Sequence, residues 1–291
     1  MSTTFDYDEA FSRNLGWFTE AEQARLRAST VSIAGLGGVG GIHLLTLARL
    51  GVGRFRIADF DTFDIPNFNR QVGATMSTVG LPKIDVLSAQ ARDINPQVVI
   101  ESFPHGVSPA QPEEFLRGSD VYVDGLDFFA FEARQATFAA CHRLGIPAVT
   151  AAPLGMGTAL LVFSPHGMSF EEYFRLDGCD ETERALRFLV GLAPAGLHRP
   201  YLVDPSRIDL ARRKGPSTMI ACNLCAGVAA AETVKLLLGR GDVRVAPWGL
   251  QFDAYRNKLV RTWRPGGNRH PLQRLILAIG RRQLLRQLRK D

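Results

Sequence analysis

The sequence predicts an α/β protein in which helices flank a mostly parallel sheet, with an antiparallel extension at the C-terminal end. Short β-branched runs alternate with helical patterns over the first half of the chain, which is typical of parallel strands joined by crossover helices. A glycine-rich turn joins the first of these runs to the helix after it. Near the end of the chain, a short turn separates two strand patterns, which predicts a hairpin.

Length and composition limit the class of protein. A chain of 291 residues with 46% hydrophobic residues can bury a full core. It contains no uninterrupted apolar run of membrane-spanning length, so we predict no membrane span. The N-terminal stretch is acidic and polar, unlike a secretory signal. Four cysteines are too few for a disulfide framework, which favours the reducing cytoplasm.

The first elements of the series form a βαβ unit. Strand patterns over 31–35 and 55–59 enclose the turn GLGGVG and a helical pattern over 41–51. Such a unit predicts a Rossmann-like fold. Further strands are predicted over 98–103, 121–125, 148–152 and 158–163, further helices over 83–95 and 132–145, and the hairpin strands over 249–254 and 258–263.

Two polar helices are predicted outside this series. The first covers 12–28, with Thr19 as its N-cap and Glu22 at the spacing of a capping box. The second is amphipathic and covers 271–290. From residue 264 to the end there are seven arginines, one lysine and one acid, a net charge of about +7. A docked helix with a solvated basic face explains this tail, and so does contact with an anionic partner.

The glycine turn indicates phosphate binding. Gly35, Gly37 and Gly40 fit the spacing G-x-G-x-x-G, and Gly38 lies among them. Glycines permit the tight turn and let backbone N–H groups approach a phosphate at a helix N-terminus. Asp59 ends the next strand nineteen residues after Gly40, where a carboxylate binds ribose hydroxyls. NAD and ATP fit this pattern equally well, and a turn without a ligand is the alternative.

The run DFDTFDIPNFNRQ at 59–71 favours a triphosphate. It contains Asp61, Asn67 and Arg70, and Lys83 follows at the start of the next helix. Two cations near one glycine turn suit a triphosphate better than a shielded pyrophosphate. The alternatives are a solvated Lys83 and a loop ion pair between Arg70 and Asp64.

A carboxylate ends a later strand at the same edge of the predicted sheet. Asp127 closes VDGLD, at the carboxyl edge where open α/β sheets bind ligands. A carboxylate that faces phosphates and cations is a candidate Mg²⁺ ligand. The alternative is a helix N-cap.

Taken together, these motifs resemble the ThiF/MoeB/HesA family of adenylating enzymes, relatives of ubiquitin-activating enzyme. The matching residues are GLGGVG (35–40), DFDTFDIPNFNRQ (59–71), VGLPK (79–83), INP (94–96), Asp124 and Asp127 of VDGLD, and Ser12-Arg13-Asn14. The resemblance is strong over 11–163 and weaker to about residue 260. We predict an adenylating domain over 1–263, made of a nucleotide-binding part (1–163), a crossover or lid (164–217) and a helix with a hairpin (218–263). The basic amphipathic helix (264–291) follows this domain as a separate segment.

The resemblance implies ATP- and Mg²⁺-dependent activation of a carboxylate as an acyl-adenylate, with release of pyrophosphate. The substrate would be the C-terminus of a small carrier protein or a peptide, or else a carboxylate on tRNA or a small molecule. By this resemblance the nucleotide would be held by the glycine turn (Gly35, Gly37, Gly38, Gly40) and by Asp59 with Asp61. The phosphates would be held by Asn67, Arg70 and Lys83. Asp127 would bind Mg²⁺, and Arg13 would reach the triphosphate of the other protomer in a homodimer.

The chain departs from the family pattern at its cysteines and after Asp127. Many members of the family carry a structural zinc held by two CxxC pairs late in the chain. Here Cys222 and Cys225 form a single pair inside a predicted helix, so we predict no zinc site. Cys179 stands between aspartates that would raise its pKa, which disfavours a catalytic thiolate. Phe128 stands where many relatives have asparagine.

Two other functions stay open. An NAD-dependent oxidoreductase would account for the glycine turn alone. A non-catalytic nucleotide-binding protein could recruit a partner through the basic tail. We also expect His43, on the first helix of the βαβ unit, to be a packing residue rather than a base.

Overall fold

The computed structural model describes residues 4–208 and 215–287. The strands are β1 (Thr30–Ala34), β2 (Arg54–Ala58), β3 (Val99–Phe103), β4 (Val121–Asp124), β5 (Ala148–Leu154), β6 (Gly157–Phe163), β7 (Trp248–Asp253) and β8 (Lys258–Trp263). The helices are α1 (Tyr7–Ala10), α2 (Glu20–Ala28), α3 (Gly40–Arg49), α4 (Lys83–Ile94), α5 (Pro112–Leu116), α6 (Phe131–Leu144), α7 (Phe170–Phe174), α8 (Glu181–Leu192), α9 (Met219–Leu238) and α10 (Pro271–Gln287).

All eight strands form one sheet, in the order β3-β2-β1-β4-β5-β6-β7-β8. The first five strands of this order run parallel, with Ile33 of β1 beside Ile57 of β2 and Val123 of β4. Strands β6, β7 and β8 pair antiparallel. The predicted fold class, a mostly parallel sheet with a C-terminal antiparallel extension, is therefore confirmed.

Helices cover both faces of the central strands, which is why those strands read as continuous apolar runs. Strands β4 and β6 are buried along their whole length, and β1 is buried from Val31 onward. Strands β3 and β8 lie at the edges and are largely exposed. The strand order reverses between β1 and β4, so the sheet opens a crevice beyond the carboxyl ends of these two strands.

The long helix α9 packs against β5, β6 and α3. Its small buried residues, among them Ala226 and Ala230, allow this close approach. By length and composition alone α9 could cross a membrane, yet half of its most apolar stretch is buried inside the fold. Buried core helices have the same composition, so this is weak evidence for a span. The absence of a membrane span stays a prediction.

One predicted element differs from the sequence expectations, and two others lie partly outside the described residues. The helix predicted over 12–28 is a 3-10 turn at Ser12–Asn14 followed by α2, because Gly16 adopts a φ of 103° that a helix cannot contain. The segment predicted as a lid over 164–217 holds α7, α8 and two 3-10 turns, with residues 209–214 outside the described part. The basic residues beyond 287 also lie outside the described residues.

Candidate active site

The glycine turn lies at the carboxyl end of β1, in the crevice next to β4. Gly35 has a φ of 80°, and its amide donates to the carbonyl of Ala58 at 2.7 Å. A Cβ on Gly40 would lie 1.7 Å from the carbonyl oxygen of Gly35. Gly125, which follows β4, closes on the same turn, because a Cβ on it would lie 2.4 Å from that oxygen. Gly35, Gly40 and Gly125 must therefore be glycines, because the backbone segments around them lie too close together to admit a Cβ atom.

The middle of the turn is open and presents free donors. The amides of Gly37, Gly38 and Val39 donate to no other group among the described residues. Val39 precedes α3 without a side-chain cap. A Cβ on Gly37 would meet only the side-chain nitrogen of Gln71, at 3.8 Å. Unpartnered amides at the start of a ten-residue helix form a cradle that fits phosphate oxygens.

Asp59 braces the turn from β2. Its carboxylate accepts from the amides of Leu36 at 2.5 Å and Asp61 at 2.8 Å, and only 8% of the residue is exposed. Burial raises the pKa of Asp59, and the two amide donors oppose that shift. The structure thus places Asp59 beside the turn, where it also holds the backbone.

Lys83 is buried beside the same loop, so the alternative of a solvated helix-start lysine is wrong. Its Nζ donates to the carboxylate of Asp61 at 3.0 Å, and the residue is only 5% exposed. The amide of Lys83 also donates to the carbonyl of Asp61. Because Asp61 is tied to Asp59, the structure brings Lys83, Asp61 and Asp59 together next to the cradle.

Arg70 packs along the glycine turn. Its Cγ would lie 3.7 Å from a Cβ on Gly38, and its guanidinium donates to the carbonyl of Pro66 at 2.8 Å. No ion pair forms with Asp64 among the described residues, so that alternative is not realised. Asn67 accepts from the amide of Asp64 and so completes the capping box of the 3-10 turn, whose N-cap is Asp64, just before Arg70.

Two neighbours of Arg70 were missed from the sequence. Gln71 is only 7% exposed, lies beside Gly37, and its side-chain oxygen has no partner. The sulfur of Cys222, at the start of α9, would lie 3.2 Å from a Cβ on Gly38, so α9 forms a wall of the site. Gln71 directly follows Arg70 and ends the run DFDTFDIPNFNRQ, so the sequence offered a signal for it. No local signal places Cys222 there.

Asp127 lies on the loop that closes over Gly35. It is exposed, and its carboxylate accepts from the amide of Phe129 at 3.0 Å. The N-cap of α6 is Ala130, so Asp127 is not the cap. One oxygen of the Asp127 carboxylate accepts this hydrogen bond, which leaves the other oxygen for a hard cation. In proteins, Mg²⁺ is commonly held by one or two carboxylates together with substrate phosphates.

A buried ion pair holds the Asp127 loop in place. Arg134 and Asp124 are each about 2–3% exposed and pair at 2.8 Å. The guanidinium also donates to the carbonyls of Leu126 at 2.8 Å and Asp127 at 3.0 Å. The ring of Phe128 packs on Phe188 of α8, with the centroids 5.2 Å apart. The loop that carries Asp127 is therefore fixed rather than free.

The remaining predicted residues lie elsewhere. Arg13 is exposed on the 3-10 turn, and its neighbour Asn14 donates to the carbonyl of Leu50 at 3.3 Å. Leu50 ends α3, roughly 15 Å along that helix from the cradle. The structure therefore does not bring Arg13 to the glycine turn of its own chain.

The four cysteines lie on α6, on the loop before α8 and on α9. Cys222 and Cys225 are buried in α9, and burial raises the pKa of both thiols. Burial is also the main cause that raises the pKa of Cys179, rather than the flanking aspartates. No group of three or more His, Cys, Asp or Glu residues could hold a metal among the described residues. The prediction of no zinc site stays a prediction.

Known proteins resemble this chain in sequence and in fold. The profile of the ThiF family matches residues 11–275. The tRNA threonylcarbamoyladenosine dehydratase of Bacillus subtilis is 36% identical over 141 residues, which are 48% of this chain and 55% of that protein. The sulfur carrier protein ThiS adenylyltransferase of Escherichia coli is 33% identical over 143 residues, 49% of this chain and 56% of that protein.

The structural comparison agrees in fold. Escherichia coli MccB in complex with ATP superposes with a TM-score of 0.67 at 17% identity, covering 90% of this chain and 71% of MccB. The chain spans about half the length of the curated relatives it matches. The family profile nevertheless covers most of the chain, including the cradle, the Asp59 loop and α9. On this evidence the chain belongs to the ThiF family.

Proposed function

We propose that this protein is an ATP-dependent adenylyltransferase that activates a carboxylate as an acyl-adenylate and releases pyrophosphate. The observation that carries the proposal is the cradle, in which the free amides of Gly37, Gly38 and Val39 lie beside Arg70. Buried Lys83 lies next to it, held through Asp61 and Asp59. Free donors with two cations suit a triphosphate, which carries more negative charge than the pyrophosphate of NAD.

The chemistry needs positioning and charge neutralisation rather than a protein nucleophile. A substrate carboxylate oxygen attacks the α-phosphorus and forms the new phosphorus–oxygen bond. The bond between the α-phosphorus and the oxygen that bridges to the β-phosphorus breaks, and pyrophosphate leaves with that electron pair. The amides, Arg70 and Lys83 would hold the phosphates, with Asn67 shaping the loop before Arg70. Asp59 would accept hydrogen bonds from the ribose as well as from Leu36.

The residues present also fit a magnesium ion. Bound Mg²⁺ would neutralise phosphate charge and orient the triphosphate. Asp127 is the candidate ligand, because it is exposed at the crevice and Arg134 holds its loop. The requirement for one carboxylate plus phosphate oxygens and water is met without a further protein cluster.

The substrate we propose is the C-terminal carboxylate of a small carrier protein or peptide. The ThiS adenylyltransferase among the relatives acts on a carrier protein, as its name states. The dehydratase relative is named for a modified tRNA, so a carboxylate on tRNA is the second candidate, and one on a small molecule is the third. Phe128 and Phe188 form an apolar wall next to Asp127 that would bound the acyl group.

We also propose that the protein works in the cytoplasm as a homodimer. Arg13 is exposed and far from the cradle of its own chain, which supports a role at the cradle of a partner. Large apolar side chains are exposed around the Asp59 loop, with Phe60 at 75%, Ile65 at 61% and Met76 at 77%. Exposed apolar surface of this kind is typical of a protein interface.

Nucleotide binding tests the proposal. Calorimetry should show ATP binding by the intact protein with Mg²⁺, and little or no binding of NAD. Lys83→Met keeps the aliphatic stem but removes the charge, and should weaken ATP binding by at least about tenfold. Lys258→Met on the exposed edge of β8 is the matched control and should leave binding unchanged. Tight NAD binding that is insensitive to Lys83→Met would favour the oxidoreductase instead.

Pyrophosphate exchange tests the reaction itself. Label from pyrophosphate should be incorporated into ATP when the protein is incubated with ATP, Mg²⁺ and a carrier protein or peptide that has a free C-terminal carboxylate. The same peptide with an amidated C-terminus is the control and should support no exchange. Binding of ATP without exchange for any of the three classes of carboxylate would favour a non-catalytic recruitment protein.

A further inference from the structure

We propose that a cavity lined by arginines at the C-terminal side of the molecule is a second binding site, for a ligand with several clustered phosphate groups. The cavity is about 600 Å³ and lies between the end of α7, α8, the 3-10 turn at Gly267–Arg269 and α10. Five arginines line it: Arg175, Arg187, Arg269, Arg274 and Arg281.

The positive charge of this cavity is only partly neutralised. Glu183 pairs with Arg187 at 2.6 Å and with Arg281. Within the described part of the chain, no carboxylate forms an ion pair with Arg175, Arg269 or Arg274. The Nε atom of Arg175 is buried and has no hydrogen-bond partner. Among the described residues that line the cavity there are five arginines and no carboxylate, so the lining carries an excess of positive charge.

The walls of the cavity are held in place by buried amides. The side chain of Asn268 donates to the carbonyls of Phe174 at 2.8 Å and Arg187 at 3.0 Å. Gln273 donates to the carbonyl of Val190 at 3.0 Å and is fully buried. These bonds connect α7, α8 and α10, so the cavity does not depend on mobile surface side chains alone.

The end of α7 fixes the backbone of Arg175 at the wall of the cavity. Its φ of 57° lies in the left-handed region, which is uncommon for residues other than glycine, asparagine and aspartate. Its carbonyl accepts from the guanidinium of Arg187 at 2.6 Å. Its amide donates to the carbonyl of Glu171 at 2.8 Å, as expected of the C-cap of α7, so bonds within this region hold the backbone of Arg175 in place.

The density of charge favours phosphate over carboxylate. A planar guanidinium binds phosphate oxygens in a bidentate manner, and several phosphates in one ligand neutralise several arginines at once. One peptide carboxylate would neutralise only one. A cavity of about 600 Å³ also has the size of a small-molecule site. Free polyphosphorylated molecules and the backbone of a nucleic acid share this chemistry.

The cavity is separate from the cradle. None of its lining residues belongs to the glycine turn, the Asp59 loop or the Asp127 loop. Among the described residues, α8 contacts both regions, because Arg187 lines the cavity and the adjacent Phe188 packs on Phe128. The inference therefore does not rest on adenylyltransferase activity.

Binding of inorganic tripolyphosphate to the full chain, measured by calorimetry, tests the proposal. The variant Arg269→Glu/Arg274→Glu changes two exposed arginines of the cavity. The matched control, Arg261→Glu/Arg282→Glu, makes the same charge change at two exposed arginines outside it. Lys83→Met separates binding at the cradle from binding at the cavity.

We expect binding that persists in Lys83→Met, weakens by about tenfold or more in Arg269→Glu/Arg274→Glu, and changes little in the control. A short oligouridylate that binds more tightly than tripolyphosphate, with a steep salt dependence, would identify nucleic acid as the source of the phosphates. Weaker binding of the oligonucleotide would identify a small molecule. Equal losses in the two arginine variants would overturn the site, and so would loss in Lys83→Met alone. Equally tight binding of polyglutamate would overturn the assignment to phosphate.

Discussion

At the scale of single residues, the glycines of the turn serve two different purposes. Gly40 is glycine because a Cβ would overlap the carbonyl of Gly35, whereas Gly37 faces open space in the cradle. Gly40→Ala should therefore lower the free energy of unfolding by about 3 kcal/mol. Gly37→Ala should leave the melting temperature unchanged but weaken ATP binding by about tenfold, because the methyl group would occupy the place of a phosphate.

Calorimetry and thermal unfolding of the two variants check this difference. Gly227→Ala, at an exposed and open position of α9, is the control, and should gain about 0.5–1 kcal/mol of stability without changing ATP affinity. Normal ATP affinity in folded Gly37→Ala would show that the phosphates do not lie on this turn.

His43 is a buried histidine with no hydrogen-bond partner at either ring nitrogen. Burial lowers its pKa to about 4, opposed by the nearby charge of Asp124. Its contribution to stability is complete above the unfolded pKa of about 6.5, because both states are then neutral. As the pH falls towards 4, only the unfolded state gains the proton, so stability is lost.

Replacing His43 should remove this pH dependence. The loss between about pH 6.5 and pH 4 amounts to roughly 3 kcal/mol at this site, since one pKa unit corresponds to about 1.4 kcal/mol. Urea unfolding of His43→Leu and the parent chain at both ends of this range gives the comparison. His43→Leu should lose less stability on acidification by about that amount. Parallel losses in the two proteins would mean that His43 titrates normally in the fold.

At the scale of elements, α9 connects the fold to the candidate site. Thr218 caps α9 by accepting from the amide of Ala221, and its hydroxyl donates to the carbonyl of Gly155 at 3.0 Å. Ser217, just before it, accepts from the side chain of Asn69 at 2.9 Å. The start of this helix therefore links the turn between β5 and β6 to the loop that carries Arg70.

Loss of this cap should affect binding as well as stability. Thr218→Ala should cost about 1 kcal/mol of unfolding free energy and also weaken ATP binding several-fold, because the Arg70 loop loses its support. Thr19→Ala removes the capping box of α2, remote from the cradle, and is the matched control. It should cost a similar free energy with no change in ATP affinity. If Thr218→Ala and Thr19→Ala bind ATP with equal affinity, the start of α9 does not support nucleotide binding.

At the scale of the whole molecule, the position of Arg13 predicts sites shared between two chains. Arg13→Ala and Arg70→Ala should each abolish ATP–pyrophosphate exchange, whereas mixing the two proteins should restore part of it. A mixed dimer contains one site with an intact Arg70 and an intact Arg13 from its partner. Light scattering checks the mass of the parent protein. A monomer, or no recovery in a mixture shown to exchange subunits, would contradict the shared site.

Local patterns in the sequence determined the elements of this protein and the chemistry of one site. The capping box at Thr19, the turn GLGGVG and the β7–β8 hairpin depend on residues a few positions apart, so propensity and spacing reveal them. The alternation of strands and helices likewise determined a parallel sheet, and a parallel sheet puts the Asp59 and Asp127 loops at one edge.

Only the tertiary structure decided how these parts meet. The burial of Lys83 by Asp61 and the contact of Cys222 with the turn depend on packing between segments far apart in the chain. The arginine cavity likewise combines residues from four segments between Arg175 and Arg281. The type of a residue indicates its preference for a strand, a turn or solvent. It does not indicate which residues from distant parts of the chain will pack against it. That choice follows from filling one core at close-packed density, which involves the whole chain at once.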